Sequence, residues 1–295
     1  MVPDSPSAAH AGAVESSRVA ASIEAWQRRQ DRAFGTDGRL IATPAGAERF
    51  LERVGIVLRY NASPGLPLAS LQRVFAGEDP DTPAATRAIE LTNHLLSTKT
   101  GIEVHVIAGR VAVVHRRIMP ALYALVRRGR PIEDLEGLSL NARTALALLG
   151  QRKEVSAGDV RQRLGLRPDP RNDPAYAALG ELMRILLVDR GPFEIPKQGI
   201  AYLPKEGYPY HLFHEAHVDL VAAGRKLSVE SAADAFLSAY LGPAAFARAR
   251  KLATMFKLFL SSAEIDASLT RLAERRRVQA VKVGSAVYHV WVARD

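Results

Sequence analysis

The sequence predicts a mainly α protein with small β-hairpins, an α+β chain built from tandem winged helix-turn-helix units. Three observations lead there. The hydrophobic period switches from 3.6 to 2 at Arg275-Arg276-Arg277. A Gly284-Ser285 turn then divides two runs of alternating apolar residues. The same order, helices followed by a hairpin, occurs about three times along the chain. A helix-turn-helix with a two-strand wing suits a duplex groove and its phosphates.

The last unit, residues 226–295, is the most explicit. Ser228 is placed to cap the helix VESAADAFLSAYL, and Gly242-Pro243 is expected to break it. Residues 244–260 then supply one or two intermediate helices. Ser262 is the expected cap of a further helix, with Ile265, Leu269 and Leu272 on its apolar face. Val278, Ala280, Val281 and Val283 read as one wing strand, and Ala286, Val287, Tyr288, Val290, Trp291 and Val292 as the other.

Residues 137–225 form a second unit plus a connector. Ser139 or Asn141 caps NARTALALL, and Ser156 with Asp159 approximates a capping box at the start of AGDVRQRL. Asp173-Pro174 opens AYAALGELMRIL, with Ala178, Leu179, Leu182, Met183 and Leu186 turned inward. LLVD and residues 199–203 are the expected wing strands. In residues 43–136, Thr43-Pro44, Pro67 and Thr82-Pro83 open three helices. The strands IEVHVIA and RVAVVH follow, divided at Gly109-Arg110, and MPALYALVRR is appended. Residues 1–42 are expected to be a flexible arm with a polar helix at 16–34 around Ile23 and Trp26.

At 295 residues the chain has room for two or three small domains. No run of 18 apolar residues offers a membrane span, and the start lacks a secretory pattern, so a cytoplasmic location and no membrane partner are expected. With no cysteine there are no disulfides or thiolate metal sites. The Arg- and Ala-rich composition resembles that of proteins from GC-rich bacterial genomes. The formal charge of +9 favours a polyanion partner. Twelve Lys/Arg against six Asp/Glu fall within 225–295, which places most of the excess at the last unit.

Several stretches resemble a known family. They are the helix end ERVG at 52–55, LPLASL at 66–71, MPALYALVRRG at 119–129, and the later runs NARTALALLG, GDVRQRLGL, ALGELMRILLVDRG and AADAFLSAYLGP. In this order, over about residues 43–292, they resemble bacterial proteins related to the AlkZ/YcaQ family. The resemblance implies tandem winged-helix domains and a DNA context; its characterised branch removes alkylated and crosslinked bases without a metal or organic cofactor. That branch carries Gln, an apolar residue, then Gln or Asp. None of Gln27, Gln30, Gln72, Gln151, Gln162, Gln198 and Gln279 has such a partner two residues on. The family's catalytic residues therefore transfer to no position, and the chain resembles a side branch.

The DNA-contacting candidates are Arg275, Arg276 and Arg277, with Lys282 and Arg271 beside them. Three guanidiniums at a helix-to-wing junction can grip phosphates; they can also simply complement the helix dipole in solvent. In the second unit Arg171, Arg184 and Arg190 flank the expected recognition helix and wing. Its N-terminal half, AYAALGEL, offers almost no base-reading side chains, so intramolecular packing is an equal reading. His211, His214 and His217 do not converge on one helix face and read as a connector helix without metal. For base excision, Glu48, Glu52, Asp79, Asp81, Glu90 and Glu103 are the available carboxylates of the first unit, with Asn93-His94 nearby. The favoured reading is double-stranded DNA binding, linked to repair, with no cofactor. A DNA glycosylase using a diverged carboxylate and a non-catalytic interaction module are the alternatives.

Overall fold

The computed structural model describes residues 22–61, 66–78, 81–167, 169, 172–193 and 208–292. Helices dominate and three small sheets punctuate them, which is the α+β class that the patterning predicts. Residues 1–21 and 199–203 lie outside the described part, so the N-terminal half of the arm and the expected second wing strand do too.

The first region begins with α1 (residues 22–34) and α2 (Pro44–Val54). Thr43 caps α2 by accepting the Gly46 N–H, and Pro44 occupies the first turn, where a missing N–H costs nothing. Strands β1 (Ile56–Leu58) and β2 (Ala69–Ser70) pair in parallel. Helix α3 (Leu71–Ala76) is capped by Ser70 and α4 (Thr82–Ser97) by Asp81, so these helices start later and earlier, respectively, than Pro67 and Thr82-Pro83 suggest. Strands β3 (Gly101–Ile107) and β4 (Arg110–His115) form the hairpin. Its two turn residues are Ala108 and Gly109, both at positive φ, as the right-handed strand twist demands. The sheet order is β2-β1-β4-β3, so a hairpin alone was too small a prediction. Helix α5 (Met119–Arg127) follows.

Next come α6 (Leu140–Gln151), α7 (Ala157–Leu164) and α8 (Pro174–Arg184). Ser139 caps α6, Ser156 and Asp159 complete a reciprocal capping box on α7, and Asp173 caps α8. Strand β5 (Val188–Arg190) pairs antiparallel with β6 (Tyr210–Leu212). The short helices α9 (Phe213–Ala216) and α10 (Val218–Arg225) lead onward. Gly224 lets α10 meet α5, because a Cβ there would stand 2.8 Å from the Pro120 carbonyl.

The last region is α11 (Val229–Ala244), β7 (Phe246–Ala247), α12 (Ala249–Phe256), α13 (Ser262–Glu274), β8 (Val278–Val283) and β9 (Ala286–Trp291). Three expectations are corrected here. Helix α11 continues through Gly242-Pro243, because the Ala245 N–H reaches the Leu241 carbonyl and closes the final turn. Phe246–Ala247 is a strand on β9 rather than helix, giving the order β7-β9-β8. The cap of α13 is Ser261, not Ser262, in a capping box with Glu264. The Gly284-Ser285 turn joins β8 and β9 as predicted, with Val283 opposite Ala286.

Among the described residues, the buried apolar side chains form two clusters. One joins the first and last regions, with Phe50, Phe75 and Leu122 beside Phe236, Tyr240 and Phe256. Phe236 meets Phe256 and Phe259 edge-on at centroid distances of 5.0 and 5.1 Å, a favoured aromatic geometry. The other cluster belongs to residues 138–212 alone.

Candidate nucleic-acid interface

Helix α13 ends in a way that determines what its arginines do. The Arg277 N–H donates to Leu272 O and the Arg276 N–H to Ala273 O, the paired bonds of a Schellman stop. Arg276 occupies the left-handed position at φ 55, where glycine is usual. Arg275 and Arg276 are exposed, while Arg277 is half-buried with its guanidinium 6.0 Å from the Trp291 ring centroid. Lys282 is exposed on β8.

Asp234 on α11 engages two of these cations. Its carboxylate accepts from Arg271 at 2.8–3.1 Å and from Ser268 at 2.6 Å, and Arg275 lies 3.1 Å away. Burial alone would raise the Asp234 pKa; the Arg271, Ser268 and Arg275 contacts outweigh it and hold the carboxyl below its ordinary value. Asp234, Arg271 and Arg275 line a groove of about 450 Å³ together with Ser228, Ser231 and Ser238. Sequence reading missed Asp234; the available signal was an acid on the otherwise apolar face of AADAFL.

The second unit differs. Its helix α8 stops with the same pair of bonds, from Leu187 to Leu182 and from Leu186 to Met183. Here the left-handed residue is Leu186, at φ 52, and its side chain is buried in the core shared by the first and last regions. Arg184 is exposed at the end of α8. Arg190 is turned inward instead: it is buried and ion-paired with Glu103 of β3. Arg171 lies outside the described residues.

Glu103 is the center of a buried cluster between the two units. Arg59 also pairs with it, and Arg59 donates to the Tyr208 hydroxyl at 3.0 Å. The Tyr208 ring lies 4.2 Å from the Arg190 guanidinium and 5.2 Å from that of Arg59. Burial would raise the Glu103 pKa, yet Arg190, His105 and Arg59 bring it down to about 2. Such a carboxylate is a fixed anion, with no proton to exchange near neutrality. Two other first-unit acids have local roles: Glu48 meets His94 at 2.8 Å and Asp81 caps α4. Asp79 lies outside the described residues. Asn93 bridges to the Phe193 backbone through two hydrogen bonds.

The histidines do not share a connector helix. His211 is on β6, His214 is on α9, and His217 is buried with Nε2 2.8 Å from Asp189 Oδ2. Among the described residues no group of three or more His, Asp or Glu side chains converges as metal ligands. No helix among them is long and apolar enough to cross a membrane.

The chain matches no family model and no curated protein. Among solved structures it is similar to the Streptomyces sahachiroi DNA glycosylase AlkZ, with a TM-score of 0.53 at 14% identity, covering 89% of this chain and 67% of that one. The DIP2311 protein from Corynebacterium diphtheriae aligns at 17% identity over 74% of this chain and 41% of its own, with a TM-score of 0.20. The likeness to AlkZ, at that identity, is one of fold.

Proposed function

We propose that this protein binds double-stranded DNA in a repair context, mainly through phosphate contacts made by the last of its winged-helix-like units, residues 226–295. The observation that carries this reading is Arg276 in the left-handed position. An L-residue there costs about 1–2 kcal/mol, and glycine would remove the cost. The second unit recovers it by burying Leu186, whereas Arg276 is exposed and follows the exposed Arg275 in the chain. A strained, exposed cation at a helix-to-wing junction is a reasonable sign of a binding role.

Arg275, Arg276, Arg277 and Lys282 are the proposed phosphate contacts, Arg271 supports them from the groove, and Arg184 contributes from the second unit. Arg190 and its ion pair serve instead to dock the second unit. The fold likeness to a protein named as a DNA glycosylase favours DNA over other polyanions. Glu103 is a poor general acid or base, since both arginines keep it ionised, so base excision is not part of the proposal.

The test is binding of a 20-base-pair duplex by fluorescence anisotropy across a salt series. Changing Arg275, Arg276 and Arg277 together to alanine should weaken binding and reduce the log–log salt slope by about 2–3, since each phosphate contact contributes about 0.9. An unchanged slope would refute the assignment.

A further inference from the structure

Residues 138–212 enclose an apolar core of their own, whereas the residues before and after them share the other. The second unit is therefore inserted between two halves of one body, entered after α5 and left where β6 passes into α9. Its docking contacts are mostly polar. Arg190 pairs with Glu103, Tyr208 accepts from Arg59 at 3.0 Å, and the Phe193 backbone exchanges two hydrogen bonds with Asn93. At the two junctions the buried Arg127 donates to the Pro131 and Ile185 carbonyls, and Asp189 meets His217. Among the described residues, Leu186 is the one buried apolar side chain of this unit that enters the shared core. Polar interfaces of this kind are those along which domains move.

The charges are arranged so that parting strands none of them. Glu103 has an arginine on each side: Arg59 follows β1 of its own sheet, and Arg190 arrives on β5. When Arg190 leaves, Glu103 keeps Arg59, and the Arg190 guanidinium passes to solvent rather than staying buried without an anion. The docked form withholds two things. Arg190 is buried, and one side of α8 packs on β3, where a Cβ on Gly180 would stand 3.9 Å from His105 Nδ1. Helix α8 is the third helix of its unit, the element that a winged helix lays into the duplex groove. Docking is thus an intramolecular mask.

We infer that residues 138–212 swing as one body between this docked form and an open one, in which Arg190 and the covered side of α8 face a polyanion. Phosphate meets Arg190 only in the open form, and that difference in affinity shifts the balance toward it. What opens the unit rests on the proposed duplex binding; the movement itself does not.

The chain has no cysteine, so spin labels can be placed by Arg49→Cys on α2 and Ala147→Cys on α6, both exposed positions. Their separation is read by double electron–electron resonance on the full chain. The free protein should give one main distance. Arg190→Gln leaves Glu103 paired with Arg59, and Asn93→Ala removes the two bonds to Phe193; each should raise a second, displaced population about tenfold. A saturating 20-base-pair duplex should raise the same population in the protein that keeps Arg190 and Asn93. Distances unchanged in both variants, with unchanged far-UV circular dichroism, would overturn the swing. A bound duplex that leaves the distribution unmoved would overturn the mask. Opening of the variants in a chain that binds no duplex would support the movement and remove the proposed function instead.

Discussion

Glu103 on β3 and Arg190 on β5 form a buried ion pair that joins two separately cored parts of the chain. Arg59 adds a second cation to the same carboxylate. Removing the shared anion leaves two guanidiniums facing each other out of solvent, which costs about 3–5 kcal/mol. Glu103→Gln should therefore lower the unfolding free energy by that amount at pH 7, read by urea denaturation. A loss under about 1 kcal/mol would mean that the pair is solvated.

The same carboxyl sets an acid dependence. Its folded pKa of about 2 lies below the value of about 4.3 for an unfolded glutamate. The unfolded chain thus binds more protons, and the stabilisation, about 3 kcal/mol, is complete above roughly pH 4.5. It is lost as pH falls through the folded value. The stability gap between wild type and Glu103→Gln should accordingly narrow from pH 4.5 to pH 2. A gap that stays constant over this window would assign it to something other than ionisation. Glu264, held at about 2 by the Arg128 hydrogen bond, is lost in the same window in both proteins and cancels in the difference.

Five helix starts were legible because their determinants are local: Thr43, Ser139, Ser156, Asp173 and Ser228 each bond an N–H within three residues. The final hairpin was legible for the same reason. The partition of the core was not, since which apolar face meets which depends on contacts such as that of Tyr240 with the Pro67 carbonyl, 173 residues away in sequence. The arginines divided likewise. Nothing near Arg190 in sequence marks Glu103 as its partner, so an inward-facing cation looked like a surface one. A charge within an apolar strand was the available signal, at Arg59 after Ile56-Val57-Leu58 and at Glu103 within IEVHVI.

Asp234 is ion-paired with Arg271 and Arg275, so under the proposed function it would compete with phosphate for both. Asp234→Asn keeps a hydrogen-bonding group for Ser268 and Arg271 and removes the charge. Two opposing effects follow: a less stable fold, by about 1–3 kcal/mol from a weakened charged hydrogen bond, and two cations released toward the groove. Duplex affinity at low salt should rise, with a salt slope steeper by about 1. Weaker duplex binding by a fully folded Asp234→Asn protein would show that Asp234 positions the arginines rather than masking them.

Arg276 and Leu186 occupy equivalent places, each the left-handed residue that ends the third helix of its unit. Replacing either by glycine relieves about 1–2 kcal/mol of backbone strain, partly offset by the freer unfolded chain. What else is lost differs. Leu186→Gly also removes a fully packed side chain, costing about 2–5 kcal/mol, so the protein should be destabilised. Arg276→Gly removes only an exposed cation, so stability should rise by up to about 1 kcal/mol while the DNA salt slope falls by about 1. Thermal or urea unfolding of the two variants, beside their duplex titrations, separates the roles. If Arg276→Gly stabilised the fold without any loss of DNA binding, the strain would have no function in binding, and the case for this junction as the phosphate grip would fail with it.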